Sequence, residues 1–369
     1  MNDSPIRISA AVMSHPRRSS AARALAARFP ELDISVVLDP EPDGPPNALR
    51  AARLAWAAVS PDATHHLVLQ DDALPAERFL ERLHHLVAAR PEAALSLFTE
   101  WGSRSSYALR IAAMLGHDLA PVVDDYVPCV ALVLPAEVAR GFDEYVQAKI
   151  EAEQPDDLAL LHYLTDQGTP TLVPVAQLVD HDNGPSLVGN SVHGPRRAAC
   201  LVPPQHAPLP LAPSLLTGLE TVPYYDFWGQ YSDACVPDPS SLDGRVRSSA
   251  RVYLAERGVP QEELYSGLRA ALGGSPGRAL LGDTVSEVVL TEIWIVSFLL
   301  GFIAAELEGR GGTTLDLTGP VAATALATLA PGAIRRVVPT HRLPAVGALM
   351  TSLVLDAVRD GIGRAPSRG

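Results

Sequence analysis

Between residues 6 and 175, short runs of β-forming residues alternate with longer stretches of helical spacing, a rhythm that predicts an open α/β sheet with helices on its faces. Strands are expected at residues 6–13, 33–38, 66–70, 94–98, 127–134 and 171–175. The alanine-rich segment that follows Arg18 reads as a helix stopping before Pro30. Asn47 reads as the cap of a second helix, with Leu49, Ala52, Trp56 and Val59 on one face. Pro75 is expected to open a third, burying Phe79, Leu83, Leu86 and Val87. A short helix is expected after Pro135, and another after Pro155-Asp156-Asp157, capped at its C-terminus by Gly168.

Residues 202–213, VPPQHAPLPLAP, hold five prolines and predict a stiff, extended linker. It divides the chain into an α/β domain at 1–201 and a mainly α-helical domain at 214–369. The helical pattern there covers RVRSSARVYLAERG, QEELYSGLRAALGG, an apolar run at 293–305, and segments at 322–329 and 343–358. Arg310-Gly311-Gly312 reads as a turn and the final RAPSRG as frayed. The 13 apolar residues between Glu292 and Glu306 fall short of the ~20 a bilayer requires, so a buried helix or homo-oligomer contact is expected instead of a membrane span.

Composition narrows the partners. Hydrophobic residues make up 47% of the chain and charged ones 19%, as in globular proteins. The 42 acidic and 29 basic side chains leave a net charge of -13, so nucleic acid is not an expected partner. Cys129, Cys200 and Cys235 are few, odd in number and widely spaced, which fits a reducing cytoplasm and neither a disulfide framework nor a thiolate zinc site. The N-terminus lacks the order of a signal peptide, and no export is expected. Without GxxxxGK[ST], a GxGxxG after the first strand, or GxSxG, a P-loop enzyme, a nicotinamide dehydrogenase and an α/β-hydrolase are disfavoured. The adjacent pairs His65-His66 and His84-His85 point to different faces and make poor zinc sites.

The most informative segment is HLVLQDDALP, residues 66–75, an apolar strand delivering Asp71 and Asp72 at its C-terminal end. In open α/β sheets that end faces the ligand crevice. Adjacent carboxylates favour a cation, and oxygen ligands suit Mg²⁺ or Mn²⁺ shared with a diphosphate; a solvated pair capping the next helix is the structural alternative. Glu100-Trp101-Gly102 places an aromatic face beside a carboxylate, which suits either a sugar ring or packing on the sheet. The Tyr224-Tyr225-Asp226-Phe227-Trp228 cluster fits a domain interface better than an acceptor platform.

LVLQDDALP resembles the strand and acidic turn of glycosyltransferases with the GT-A fold, and the resemblance spans residues 6–192 in motif order. It implies that Asp72 is a direct metal ligand, with Asp71 near the metal or the donor ribose. Gln70 stands where the EDD form of the motif has Glu, so it is assigned a hydrogen bond to a sugar hydroxyl. SHPRR occupies the donor-nucleotide position, which implies Ser14 and His15 near the base and Arg17 and Arg18 at the diphosphate. Asp39, ending the second strand, takes the base or ribose position, and Glu100 and Trp101 join the donor-binding set. PDDLAL resembles the later acidic pair, which implies Asp157 as catalytic base with Asp156 second; a stabilised helix start is the alternative. VDHDNGPSLVG resembles the terminal segment of bacterial and phage members. That resemblance implies that His181 completes the metal site or touches the diphosphate, with Asp180 and Asp182 as flanking alternatives and His193 as a weaker candidate.

These readings add up to a cytoplasmic, Mn²⁺- or Mg²⁺-dependent glycosyltransferase that uses a nucleotide-diphosphate sugar and an unknown acceptor, with inversion favoured. A non-catalytic binding or assembly protein on the same sheet is the second reading, and a metal-dependent hydrolase using Asp71, Asp72 and His181 the third.

Overall fold

A computed structural model describes residues 5–187, 189–274, 280–311 and 313–366. Seven strands form one mixed sheet in the order β2-β1-β3-β7-β5-β8-β6. They are β1 (Ile8–Ser14), β2 (Ile34–Leu38), β3 (His65–Gln70), β5 (Ala94–Ser96), β6 (Leu119–Pro121), β7 (Ala131–Pro135) and β8 (Thr171–Pro174). β1 pairs in parallel with β2 and β3, β7 runs antiparallel to both β3 and β5, β8 is parallel to β5, and β6 is antiparallel to β8.

Side chains alternate across the central strands into two different cores, which is why these strands read as continuous apolar runs. Ala10, Val12, Leu67 and Leu69 enter one core with Leu25 of α1 (Ser19–Ala26) and Leu83 of α3 (Phe79–Ala89). Ala11, Met13 and Val68 enter the other. There they meet Trp56 of α2 (Ala48–Ala57), Phe142 of α5 (Ala136–Lys149) and Leu160 of α6 (Asp156–Asp166). Asn47 caps α2 by accepting the Leu49 N–H at 2.8 Å, and Gly168 ends α6 with φ +62°.

Several local expectations are corrected. Pro75 does not open a helix: Ala73–Pro75 is a short strand, β4, paired antiparallel with β9 (Val179–His181). The helix after Pro135 is not short, running 14 residues. α4 (Arg104–Met114), absent from the sequence reading, is buried on all sides, so it lacks the one-sided pattern that marks a surface helix.

The second half begins with strands, not helices: β10 (Val222–Asp226), β11 (Tyr231–Pro237) and β12 (Arg245–Ser249) form an antiparallel sheet. RVRSS, expected to be helical, is β12, paired with β11, and its Arg247 bridges Asp233 of β11 and Asp226 of β10. The helices that follow are α7 (Ala250–Ala255), α8 (Gln261–Gly273), α9 (Glu287–Gly311), α10 (Pro320–Ala327), α11 (Leu329–Ile334) and α12 (Leu343–Arg364). The turn expected at Arg310-Gly311-Gly312 is the end of α9, with Gly312 outside the described residues, as are 367–369 of the segment expected to fray. The largest core crosses the proline-rich segment, joining Tyr107 and Ile111 of α4 to Tyr224, Leu299 and Leu353. Tyr107 meets Tyr224 edge-on at 6.4 Å.

The apolar run at 293–305 lies in a longer helical stretch, Glu287–Glu308, whose length and mean hydropathy of 2.2 are enough to cross a membrane; 83% of its apolar window is buried inside the fold. α9 crosses α12 at two glycines. A Cβ on Gly301 would overlap the carbonyl oxygen of Val358, and one on Gly361 that of Phe298. Because both obstacles are backbone, Gly301→Ala is expected to lower the unfolding free energy by about 3 kcal/mol in urea denaturation.

Candidate functional site

Parallel pairing of β1, β2 and β3 brings their C-terminal ends to one edge of the sheet, so Ser14, Asp39, Gln70, Asp71 and Asp72 converge there. β7 runs the other way and contributes its N-terminal approach, Cys129 and Val130. β4 and β9 pair just beyond this edge, setting His181 opposite Ala73, and the Asp182 N–H donates to the Asp72 carbonyl at 2.9 Å. Here a cavity of about 860 Å³ opens, and Asp156 and Asp157, at the start of α6, line it together with Asp71, Asp72 and His181.

Asp71 accepts from the Ser14 hydroxyl at 2.5 Å and from Arg18 at 3.1 Å. Burial, with repulsion from Asp72, pushes its carboxyl above the ordinary range against the lowering by Ser14 and Arg18. Its neighbour moves the other way. Burial raises Asp72 too, but His181, Arg196 and Arg18 outweigh this and hold it below the usual carboxylate range. Asp72 Oδ2 lies 3.2 Å from Arg18 and 3.4 Å from His181 Nε2, while its buried Oδ1 has no partner. Arg196 approaches the same Nε2 at 2.8 Å, and His181 Nδ1 is buried without a partner.

Burial also pushes up both carboxyls of the Asp156/Asp157 pair, and Asp157, repelled by Asp156 as well, is pushed up to about 7. Gln70 donates to Cys129 Sγ and Cys129 to Asp156 Oδ2, each at 3.5 Å, so Gln70 is tied to the pair through the thiol. Asp39 is held by a two-pronged contact from Arg50, at 3.0 and 2.9 Å, leaving little capacity for another ligand. His15 Nδ1 accepts the Arg17 N–H, and its Nε2 faces the Pro42 carbonyl at 3.1 Å. Arg17 lines the cavity and is exposed.

Of the residues singled out in the sequence, Ser14, His15, Arg17, Arg18, Asp39, Gln70, Asp71, Asp72, Glu100, Asp156, Asp157 and His181 all line this cavity. Trp101 does not: it donates from Nε1 to the Pro195 carbonyl and packs beneath Gly332 of α11. Glu100 reaches the cavity but is paired with the fully buried Arg335 at 2.6 Å. Asp180 turns away to Arg197, His193 stacks near Phe227 and Trp228, and Val188 of the PSLVG segment lies outside the described residues. Sequence reasoning missed Arg50, Asp125, Cys129 and Arg196 in the lining, and Arg335 behind it. The visible trace of Arg196 was a basic pair, Arg196-Arg197, just after the His181 turn.

The lining carries nine carboxylates against four guanidiniums. Such a cavity repels a diphosphate unless a cation accompanies it. Among the described residues no group of three or more His, Cys, Asp or Glu side chains is gathered as a metal cluster. Mg²⁺-type ions bound with a nucleotide need only one or two protein carboxylates, with phosphate oxygens and water supplying the rest. The unpartnered Asp72 Oδ1 fits that demand, with Asp71 adjacent and the His181 ring 3.4 Å from Asp72 Oδ2. No family model matches the chain, and no curated protein matches it.

Proposed function

We propose that this cavity is the active site of a metal-dependent glycosyltransferase acting on a nucleotide-diphosphate sugar, with the GT-A fold over the N-terminal half. The observation that carries the reading is that two acidic pairs, one at the end of β3 and one at the start of α6, line a single crevice at the carboxyl edge of a mixed α/β sheet. Asp72 and His181 are the metal-holding residues, with Asp71 beside them, and a bound Mn²⁺ or Mg²⁺ supplies positive charge to the diphosphate oxygens. Arg17 and Arg18 add further donors at the same end. Asp157 is the base. It takes the proton of the acceptor hydroxyl as that oxygen bonds to the anomeric carbon and the bond from this carbon to the diphosphate breaks, which inverts the centre. A carboxyl pushed up to about 7 is matched to this work near neutral pH.

The reading is tested by thermal-shift titration of the whole chain with UDP, GDP, CDP and dTDP, with and without Mn²⁺. Ligand at 100 times its Kd adds ~2.7 kcal/mol of stability, so one nucleotide should raise the melting temperature only with metal. In Asp72→Ala this metal-dependent rise is expected to vanish while the metal-free melting curve stays cooperative. No rise with any nucleotide in the unaltered chain favours the second reading, a non-catalytic binding or assembly protein, whose acidic pair is already bridged by Arg18.

A further inference from the structure

We propose that Arg18 is an exchangeable counter-ion, which neutralises Asp71 and Asp72 until a divalent cation takes its place and then serves the diphosphate. The inference rests on the reading of this cavity as a nucleotide-diphosphate site.

The Arg18 and Arg50 contacts with aspartates of the cavity differ in kind. Arg50 grips Asp39 as a fork, one nitrogen to each carboxylate oxygen, at 3.0 and 2.9 Å. Arg18 instead divides a single nitrogen, Nη1, between Asp71 Oδ1 at 3.1 Å and Asp72 Oδ2 at 3.2 Å, and spends Nη2 on the Pro185 carbonyl. Strong charge-assisted contacts are ~2.7–2.9 Å and often two-pronged, so Arg50 is locked and Arg18 is a loose bridge. The bridge is also incomplete. Asp72 Oδ1 is buried with no partner, an anionic oxygen that Arg18 does not reach. A compact divalent ion can hold several oxygens at once, which a single guanidinium nitrogen cannot. With its side chain 23% exposed at the cavity wall, Arg18 can leave the acidic pair without unpacking the core. Its released guanidinium then has a fork to offer phosphate oxygens, the geometry for which arginine is suited.

Two affinities should therefore move in opposite directions when Arg18 is neutralised. The binding of Mn²⁺ alone is read from loss of the free-ion EPR signal in metal-stripped protein. Binding of UDP, GDP, CDP and dTDP with Mn²⁺ is read by calorimetry. Arg18→Gln is expected to bind Mn²⁺ alone about tenfold more tightly, because a competing positive charge is gone. The same variant should bind the preferred nucleotide with Mn²⁺ about tenfold more weakly. Arg50→Ala should change the affinity for Mn²⁺ alone less than Arg18→Gln does. Arg18→Ala is the second variant, and its melting point should fall in EDTA and recover with Mn²⁺. An affinity for Mn²⁺ alone that is unchanged or weaker in both Arg18 variants overturns the proposal, as does an equal gain in Arg50→Ala. If the unaltered chain still binds a nucleotide with Mn²⁺ in that case, only the counter-ion role fails. Absence of Mn²⁺ and nucleotide binding in every variant overturns it together with the assignment of the cavity.

Discussion

Replacing Asp157 with asparagine is expected to lower turnover by about 10²- to 10⁴-fold, the usual share of a general base, with little change in donor binding. Asparagine keeps the side-chain oxygen that accepts the Leu158 N–H at 2.8 Å, so the start of α6 should persist. On the proposed reading the unaltered chain should show a rate that rises with pH and levels off above about 7, as the carboxyl buried beside Asp156 gives up its proton. This rise should be missing from the residual activity of Asp157→Asn.

Stability should respond to pH in the opposite direction. An aspartate in an unfolded chain titrates near ~3.9, so raising the folded value favours the protonated native state. The benefit is complete below about 4 and is lost as pH rises through about 7, where the buried pair must carry its full charge. Asp157→Asn should accordingly match the unaltered chain near pH 4 and exceed its stability at pH 8 by on the order of 2 kcal/mol. Asp156, more deeply buried, is also raised, so the two protons leave as coupled steps. Chemical denaturation at the two pH values checks the sign, and equal stability at both would refute a raised carboxyl at this position.

The second large effect is expected at Arg335. Its side chain is 0% exposed and pairs with Glu100 at 2.6 Å, while Nε donates to the His193 carbonyl and the guanidinium lies 3.9 Å over the Phe227 ring. Arg335→Ala leaves Glu100 as an uncompensated buried charge and opens space beneath Gly102, costing about 3–5 kcal/mol. Removing both charges should cost less. Glu100→Gln combined with Arg335→Met is expected to recover at least half of the loss, since the expense lies in the orphaned charge and not in the missing attraction. A double variant as unstable as Arg335→Ala would instead assign the loss to packing around Gly102 and Gly332. The pair holds Glu100 although this residue reaches the cavity wall.

Periodicity and end signals read well wherever an element buries one face or ends on a characteristic residue. Asn47, Gly168, and the apolar runs of β1 and β3 were legible for that reason. Elements whose partners are distant in sequence were not. β12 carries Arg245, Arg247 and two serines and pairs as a strand with β11, where Arg247 finds Asp226 and Asp233 across the sheet. α4 has no exposed face to leave a pattern, and Arg110, fully buried within it, is paired with the Ala325 carbonyl and Thr328 from the far half of the chain. The site divides in the same way. Asp71-Asp72, Asp156-Asp157 and His181 stood out as residue types at the ends of elements, and all five line one cavity. Arg50 and Arg196, equally part of it, sit in segments with no distinguishing spacing.

By itself the sequence determined an α/β sheet delivering carboxylates at its carboxyl edge, because strand and helix periods and the chemistry of Asp are local properties. Only the tertiary structure decided how those charges are neutralised. Arg18 bridges Asp71 and Asp72, Arg196 faces His181, Arg50 locks Asp39, and Arg335 holds Glu100. Ion pairs of this kind join residues from 11 to 235 positions apart, and their energies depend on distance and burial, quantities that exist only once the chain has folded.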